Sequence, residues 1–303
     1  MASYCVFLIL ALASVGLCLE APEAAYDETF FSRLAPGQLQ RERATMRETL
    51  GQYPFKTFPQ EYVQKALSSG IDWRPIAVTP AKNQGGHGYC GTFGRVAAAE
   101  GQYAIRSGYF KRNFSEEQLI DCVGWDLNQL PMILDTGFMS SEDYPYNTTG
   151  PDMDPPIPYN PCRLNTSKII PGSKLFTNTT AVPPSAGEDQ FAAFIFHNGP
   201  SQAGINADVF GERAKGCEAT LNCFITRDMC EMHAGKSIDH SVTIVGFGVD
   251  KEHGEYWEIK NSWSTAFANN GFIKIARGVN CGNLAKDAAI DLFTIGDPSS
   301  YYV

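Results

Sequence analysis

The sequence predicts an α+β protein in which two lobes pack against each other. Helix-like patterns fill the first part of the chain after Ile71, and strand-like patterns follow Gly199. The 303 residues are 44% hydrophobic, which is enough for one large core or two packed half-domains. The net charge of −9 comes without a basic block, so neither nucleic acid nor an anionic membrane is an expected partner.

An apolar N-terminal run predicts a signal peptide over residues 1–19. The run extends from Val6 to Leu19 and is too short for an ordinary membrane span. Gly16 and Cys18 are small residues that suit a cleavage site just after them. The region before the run has no Lys or Arg, which leaves a buried N-terminal helix as the alternative.

Residues 20–69 are interpreted as a short pro-segment, and residues 70–303 as the folded domain. The stretch 38–50 is rich in charge and helix formers, and it predicts an amphipathic helix. A stretch containing proline and aromatic residues follows at 53–62, and the Ser-Ser-Gly breaker at 68–70 ends the segment. The alternative is an ordinary N-terminal helix that stays with the protein.

The helices and strands of the domain follow from hydrophobic spacing and turn residues. The first lobe spans about residues 70–180 and the second 181–303. The predicted helices cover residues 90–107, a segment with a cap-like start at Ser115, and residues 186–197. The predicted strands, rich in β-branched and aromatic residues, cover residues 241–248, 255–260 and 271–276.

Sequons and cysteines indicate export through an oxidising compartment. The N-glycosylation sequons predict a glycoprotein of the secretory pathway, lysosomal or extracellular. They begin at Asn113, Asn147, Asn165 and Asn178. Nine cysteines include two in the predicted leader, and the other seven imply three disulfides and one cysteine left over. That odd cysteine is the first candidate for chemistry.

Cys90 stands where a thiol becomes reactive. It follows the glycine-rich loop NQGGHGY at 83–89 and opens the predicted helix over 90–107. The positive end of a helix dipole and the unpaired amides of the first turn favour a thiolate, which is the nucleophilic form of cysteine. The alternative is a buried structural cysteine.

Three further residues would complete a nucleophilic site. His240 begins an apolar, strand-like segment and can act as a base toward Cys90. Asn261 offers a neutral amide that would orient the imidazole. Gln84 can donate an N–H toward a developing oxyanion, beside the backbone amide of Cys90.

These patches resemble the papain family of cysteine peptidases, and within it the cathepsin L-like branch. The similarity covers nearly all of residues 71–292, with its segments in the family's order. They are IDWRPIAVTPAKNQGGHGYC, FSEEQLIDC, DYPY, NGP, SIDHSVTIVGFG, YWEIKNSW and GFIKIARGVNCG. The resemblance implies a papain-like two-lobe fold, with a helical left lobe, an antiparallel β-barrel right lobe and the active-site cleft between them.

The resemblance also implies a role for each matching residue. Cys90 matches the nucleophile, and His240 matches the general acid/base. Asn261 matches the orienting amide, Gln84 the oxyanion donor, and Trp263 the indole that shields the His–Asn hydrogen bond from water. The implied activity is that of a cysteine endopeptidase acting through a thioester, with no cofactor and no metal. We expect peptide or protein substrates, a monomer, and a zymogen inhibited by its own pro-segment.

A specificity pocket beside the site is also implied by the resemblance. Gly204 and Ile238 match its walls, and Lys286 matches its floor. Gly88 matches a substrate-binding position in the nucleophile loop. Lys286 predicts a preference for an acidic side chain at the second residue before the cut. The alternative is that Lys286 pairs with Asp287 or points to solvent.

The same resemblance implies most of the disulfide pattern. Cys122 matches Cys162, and Cys230 matches Cys281, while Cys217 and Cys223 are left to pair locally. The alternative assigns three of these cysteines, together with one histidine, to a zinc site. Its ligands would be Cys217, Cys223, Cys230 and His233.

Several positions depart from the family pattern and support a second hypothesis. The residue after the nucleophile is Gly91 where the family usually has Trp or Tyr, and His87 stands in place of a cysteine. The stretch between Cys122 and Tyr146 is about ten residues shorter than usual, which removes a glycine pair that binds extended substrate. Ser264 replaces a glycine. The alternative function is a papain-fold binding protein with weak or no catalysis.

Overall fold

The computed structural model describes residues 57–124, 136–147, 160–174, 186–211, 223–232 and 236–284, together with the backbone of four short strands. The predicted helix over 38–50 lies outside the described residues. β1 (Tyr4–Val6) and β2 (Leu17–Leu19) pair in antiparallel fashion within the predicted signal peptide. The alternative of a helix is therefore wrong for these six residues, and the signal peptide itself stays a prediction.

Three of the described helices begin and end close to the predicted residues, and the sequence did not predict the other three. They are α1 (Gln60–Ser69), α2 (Arg74–Ala77), α3 (Cys90–Arg106), α4 (Glu116–Val123), α5 (Glu188–Asn198) and α6 (Arg227–Glu231). Short 3-10 turns cover Thr166–Lys168, Ala207–Phe210 and Cys281–Asn283. The Ser115 side chain accepts a hydrogen bond from the backbone N–H of Gln118, which is the predicted cap of α4.

The described strands form one main sheet and two separate short pairs, one of which is β1 with β2. The sheet contains β3 (Ile71–Asp72), β5 (Ser201–Ile205), β6 (Phe224–Ile225), β7 (His240–Asp250), β8 (Gly254–Lys260) and β9 (Phe272–Ala276). Its order is β3-β7-β8-β9-β6, and β5 also pairs with β7. These pairs are antiparallel except for β6 and β9, which are parallel. Outside this sheet, β4 (Asn178–Thr179) pairs with β10 (Phe293–Thr294).

β7 is the central strand of the sheet, because it pairs with three other strands. β5 pairs with its first half and β3 with its second half, while β8 lies along its other edge. Gly246 makes the close approach of β3 possible, since a Cβ there would lie 2.4 Å from the Ile71 carbonyl oxygen. This arrangement fixes His240, the first residue of β7, opposite Ile205 of β5.

The two larger hydrophobic cores of the described residues correspond to the two predicted lobes. The right-lobe core joins the main sheet to α5 and includes Phe191, Phe194, Ile244, Trp257 and Ile275. The left-lobe core joins α3 and α4 to the segment near residue 138 and includes Val96, Ala99, Tyr103, Phe114, Leu119 and Phe138. The fold is therefore the papain-like α+β architecture that the sequence predicted, with α3 lying between the two cores and against β7.

Helix α1 is packed into the right-lobe core. Val63 and Ala66 are 2% and 0% exposed, and both belong to the same cluster as α5. Phe58, just before α1, donates its backbone N–H to Gln190 Oε1 at 2.7 Å, and its ring meets Phe194 edge-on at 6.2 Å. The predicted end of the pro-segment at residue 69 thus falls at the end of a packed helix, and this boundary stays a prediction.

One disulfide fastens each lobe. Cys122 of α4 is bonded to Cys162 in the left lobe, and Cys230 of α6 is bonded to Cys281 in the right lobe. Both pairings agree with those implied by the resemblance. Cys217 lies outside the described residues, so its pairing with Cys223 stays a prediction. The zinc alternative is wrong as it was framed, because a disulfide occupies Cys230 and removes one of its four ligands.

Three of the four sequon asparagines lie in described parts of the chain. Asn113, Asn147 and Asn165 are all exposed, as a glycan would require. The side chain of Asn178 lies outside the described residues. Among the helices that the structure describes, none is both long enough and apolar enough to cross a membrane.

Candidate active site

Cys90 is the first residue of α3, as predicted, and is 3% exposed. The loop before it is held to the segment that follows β8. The Gln84 backbone N–H donates to the Ser262 carbonyl oxygen at 2.9 Å, and the Ser264 N–H donates to the Lys82 carbonyl oxygen at 3.0 Å. These two hydrogen bonds place the nucleophile loop directly beside Asn261.

The Gln84 side chain is buried within this loop. Its Nε2 donates to the His87 carbonyl oxygen at 2.7 Å, and its Oε1 accepts from Ser262 Oγ at 2.5 Å. The Tyr146 hydroxyl donates to the Gln84 backbone carbonyl at 2.8 Å. The orientation of the amide is therefore fixed, because its oxygen faces a hydroxyl donor and its nitrogen faces a carbonyl.

His240 and Asn261 form a buried pair. The distance between His240 Nε2 and Asn261 Oδ1 is 2.8 Å, and the two residues are each 2% exposed. Asn261 Oδ1 also accepts from the Ser262 backbone N–H at 2.8 Å, so this atom is an acceptor and Nε2 must donate to it. A neutral His240 consequently carries its proton on Nε2 and its lone pair on Nδ1. Nδ1 is thus the basic nitrogen.

Aromatic rings enclose the histidine. The Trp263 ring lies 4.7 Å from the imidazole, between centroids, and is tilted by 31°. Phe210, in the turn after β5, meets both His240 and Trp263 edge-on at 6.3 and 5.6 Å. The structure thus places Trp263 over the histidine, in the position that suits the shielding role implied by the resemblance.

Burial dominates the protonation of His240. It lowers the pKa of the imidazole from 6.5 to about 4, and the hydrogen bond with Asn261 opposes this change only in part. An imidazolium at this position therefore needs a compensating negative charge nearby. A thiolate at Cys90 would supply that charge, and the two groups would then titrate as a pair.

The first turn of α3 packs against the start of β7. Thr243 Oγ1 donates to the Gly94 carbonyl oxygen at 3.1 Å. A Cβ at Gly94 would lie 2.8 Å from Ser241 Oγ and 3.4 Å from the Val242 carbonyl oxygen. The absence of a side chain at Gly94 therefore allows the helix that begins at Cys90 to approach the strand that begins at His240.

The residues predicted to contact substrate are partly brought together. Gly204 of β5 and Ile238 are neighbours, since a Cβ at Gly204 would lie 2.9 Å from Ile238 Cγ2. Gly88 is buried in the nucleophile loop, two residues before Cys90. Lys286 lies outside the described residues, so its place in the pocket stays a prediction.

Two residues of the site were missed by sequence reasoning. Ser262, which donates to the Gln84 amide oxygen, lies inside the quoted YWEIKNSW segment but was given no role. Phe210 is completely buried against His240 and Trp263, and no signal in the sequence pointed to it.

A buried cluster of charges lies behind the site, and the sequence did not reveal it. Lys82 Nζ contacts Glu100 Oε1 at 2.6 Å and Glu116 Oε1 at 2.7 Å. Lys260 of β8 lies 3.8 Å from Glu100 Oε2 and donates to Thr79 Oγ1 at 2.9 Å. Because Glu100 is on α3 and Lys260 is on β8, the cluster joins the two lobes.

Comparisons with known proteins agree with this architecture. Residues 67–291 match the family profile described as papain family cysteine protease. The chain is 30% identical over 289 residues to the probable cysteine protease RD19C of Arabidopsis thaliana, covering 86% of this chain and 71% of the relative. It is 32% identical over 235 residues to a cathepsin L-like protein of Caenorhabditis elegans, covering 71% of this chain and 62% of the relative.

Solved structures are similar as well. A recombinant stem bromelain precursor aligns at 25% identity with a TM-score of 0.58, covering 81% of this chain and 78% of that chain. Digestive procathepsin L 3 of the Tenebrio molitor larval midgut shares the fold at 21% identity, with a TM-score of 0.56, covering 86% of this chain and 96% of that chain.

The family match includes the nucleophile loop, α3, β7 and the segment after β8, and hence Cys90, His240 and Asn261. It extends over well more than half of the chain. The protein therefore belongs to the papain family of cysteine proteases.

Proposed function

We propose that this cysteine peptidase is an endopeptidase that cleaves peptide bonds through Cys90, His240 and Asn261. The observation that carries the proposal is the buried 2.8 Å hydrogen bond between His240 Nε2 and Asn261 Oδ1. It orients a base at the start of the strand that packs against the helix beginning at Cys90. A helix N-terminal thiol with an oriented imidazole on a neighbouring element is the arrangement that thiol catalysis needs.

In the proposed first step, the Cys90 thiolate attacks the carbonyl carbon, and the electron pair of the C=O bond moves to oxygen. The backbone N–H of Cys90 and the second N–H of the Gln84 amide would stabilise that oxyanion. As the C–N bond breaks, the His240 imidazolium gives its Nδ1 proton to the leaving amine, and a thioester remains on Cys90. Water, deprotonated by His240, then attacks the thioester and releases the acid and the thiolate.

We further propose that the chain is exported as a glycosylated zymogen and works in a lysosomal or extracellular compartment. The exposed sequon asparagines and the two disulfides support export, because disulfides persist in oxidising compartments. The similar solved structures are named as a procathepsin and a bromelain precursor, which supports a pro-segment that blocks the cleft. We expect the peptidase to act as a monomer.

Lys286 remains our candidate for the floor of the pocket that selects the second residue before the cut. A lysine there would favour an acidic side chain in the substrate. The test compares cleavage of matched peptides bearing Glu or Leu at that position, in the parent protein and in Lys286→Ala. If the variant keeps the same ratio of the two rates, the lysine does not select substrate.

Covalent labelling of the purified, acid-matured protein tests the mechanism directly. The probe is a peptidyl epoxide that reacts with papain-type thiolates, and mass spectrometry locates the adduct. We expect labelling at Cys90, no labelling of Cys90→Ala, and strongly reduced labelling of His240→Ala.

A second candidate function is peptide or partner binding with little turnover. Gly91 favours it, because the family usually places a large aromatic side chain directly after the nucleophile. Folded, matured protein that takes up no label at Cys90 would contradict the peptidase mechanism and favour this candidate.

A further inference from the structure

Gln202 lies between the two segments that carry the proposed nucleophile and base. It is the second residue of β5 and is 4% exposed. In the sheet it is opposite Thr243 of β7, three positions from the pairing of Ile205 with His240. It takes no part in the chemical steps of the proposed mechanism.

The side-chain amide of Gln202 connects these two segments. Its Nε2 donates to Ser241 Oγ at 2.7 Å and to the Gly91 carbonyl oxygen at 3.3 Å. Gly91 directly follows Cys90, and Ser241 directly follows His240. An amide nitrogen has two hydrogens, so a single NH₂ group can hold both neighbours at the same time.

The packing around this amide is tight. Gln202 Cγ lies 3.2 Å from the point that a Cβ at Gly94 would occupy, and Ser241 Oγ lies 2.8 Å from the same point. The absence of a side chain at Gly94 therefore leaves, near the start of α3, the space that the glutamine fills. Gln202 Oε1 is buried and makes no hydrogen bond within the described part of the chain. Within the described part of the chain, the hydrogen bonds of this side-chain amide are therefore all donated by Nε2.

We propose that Gln202 is a positioning residue that sets the separation and orientation of the Cys90 sulfur and the His240 ring. It does so because its side-chain amide donates hydrogen bonds to Gly91, which follows Cys90, and to Ser241, which follows His240. A neutral donor suits this place because it adds no charge that would favour one protonation state of the pair. Small displacements of reacting groups cost much more rate than the hydrogen bonds themselves would suggest. This inference rests on the proposed thiol mechanism.

The test replaces Gln202 by methionine, which keeps the unbranched shape and loses both N–H donors. Gln102→Met is the matched control. Gln102 is also buried, lies on α3, the helix that contains Gly91, and donates to the carbonyl oxygens of Asn198 at 2.6 Å and Pro200 at 3.5 Å. It therefore connects the same helix to the right lobe, but twelve residues from Cys90.

Two measurements distinguish positioning from stability. The first is the pH dependence of Cys90 alkylation by iodoacetamide, which reports the thiolate. The second is kcat and KM on a peptide substrate. For Gln202→Met we expect kcat to fall by about 10- to 100-fold with KM changed by less than about 2-fold. We also expect the reactive thiolate to appear at higher pH, closer to the ordinary cysteine pKa of about 8.5. Gln102→Met should keep both profiles even if it unfolds more easily.

A second variant covers the case in which Gln202→Met does not fold. Ser241→Ala removes one of the two acceptors and leaves the contact with Gly91, so its alkylation profile should move in the same direction by a smaller amount. Profiles of Gln202→Met and Ser241→Ala that coincide with those of the parent and of Gln102→Met would overturn the inference. If Cys90 of the parent protein itself shows no thiolate below pH 7 that depends on His240, the proposed mechanism fails and this inference fails with it.

Discussion

At the scale of single residues, His240 is subject to two opposing requirements. The proposed mechanism uses it as an imidazolium, whereas its burial lowers the pKa of the ring to about 4. The ring has Trp263 and Phe210 beside it and one hydrogen bond to a neutral amide. A positive charge in such surroundings has to be balanced by the thiolate of Cys90, and that thiolate is in turn stabilised by the positive end of α3.

Removing the Cys90 thiol should therefore reveal the effect of burial alone on the pKa of His240. In Cys90→Ala we expect the His240 ring to titrate with a pKa near 4, and in the parent protein at a clearly higher pH. NMR titration of the imidazole C–H signals measures both values. Equal His240 pKa values in both proteins would contradict the ion pair.

Glu258 on β8 gives a second prediction at this scale. Arg74 Nη1 contacts its Oε1 at 2.7 Å, while Oε2 is buried with no partner among the described residues. Burial raises the pKa of this carboxyl from 4.5 to about 7, and Asp72 adds to the effect while Arg74 and Lys274 oppose it. The folded state holds this proton more tightly than the unfolded state. The stability that the protonated Glu258 contributes is therefore fully present below pH 4.5 and is lost as the pH rises through 7.

Glu258→Gln should therefore stabilise the protein at pH 8 and not at pH 4. The difference between 4.5 and about 7 corresponds to an upper limit of about 3 kcal/mol in the free energy of unfolding. Denaturant unfolding at the two pH values measures it. Glu252→Gln is the control, because that side chain is 84% exposed and should change neither value. A gain of equal size at pH 4 would contradict the assignment to Glu258 ionisation.

At the scale of elements, α1 bears on the site of maturation. The sequence placed the end of the pro-segment at residue 69, but Phe58, Val63 and Ala66 are all buried in the right-lobe core. A cut after residue 69 would remove these side chains from α5 and uncover Phe194 and its neighbours. Loss of one buried phenylalanine side chain, such as that of Phe58, costs about 3–5 kcal/mol in the free energy of unfolding. The packing therefore favours a cut before Thr57, with α1 kept in the mature enzyme.

N-terminal sequencing of the matured protein tests this expectation. We expect the mature chain to begin at or before Thr57. Chains expressed from residue 57 and from residue 70 provide the matched comparison, and the longer one should unfold at a clearly higher denaturant concentration. An active mature enzyme that begins at Gly70 with undiminished stability would show that α1 belongs to the pro-segment after all.

Local patterns predicted α3, α4, α5, β7, β8 and β9 because neighbouring residues indicate each of these elements. Ser115 capped α4 where the sequence indicated, and the ends of α3 and α5 lie within two residues of expectation. Helix α1 was not predicted, and its packing against α5 depends on contacts between residues more than a hundred positions apart. The parallel pairing of β6 with β9 is equally non-local.

At the scale of the whole molecule, the proposed catalytic residues could be predicted from sequence motifs, whereas the buried residues that hold them in place could not. Cys90, His240 and Asn261 lie in recognisable segments, so their identities were predicted. Gln202 lies in a segment whose only sequence feature is a strand after Gly199-Pro200, and its importance depends on which residues surround it. Glu100 lies within an apolar helix face, and nothing near it in sequence indicates that Lys82 and Lys260 come from other elements to meet it.

The buried charges hold the two lobes together, and Lys82 is their centre. Burial would raise the pKa of the Glu100 carboxyl, but Lys82 and Lys260 outweigh burial and lower it. The pKa of Glu116 is raised by burial and by Glu100, although Lys82 opposes this. Removing Lys82 would take from Glu116 the cation that it contacts and would leave Glu100 with Lys260, 3.8 Å away. Breaking a buried pair from one side costs about 3–5 kcal/mol.

Lys82→Met should therefore lower the free energy of unfolding by about 3–5 kcal/mol at pH 7. The loss should be smaller at pH 4, because without Lys82 both carboxyl groups take up protons in the folded state as the pH falls, and that uptake restores stability. The control is Lys236→Met, which breaks an ion pair of similar length, 2.7 Å to Asp208, between side chains that are nearly half exposed. It should cost less than about 1 kcal/mol at either pH. If the two variants lose the same amount, or if Lys82→Met loses as much at pH 4 as at pH 7, the lobes are held together by apolar packing rather than by this cluster.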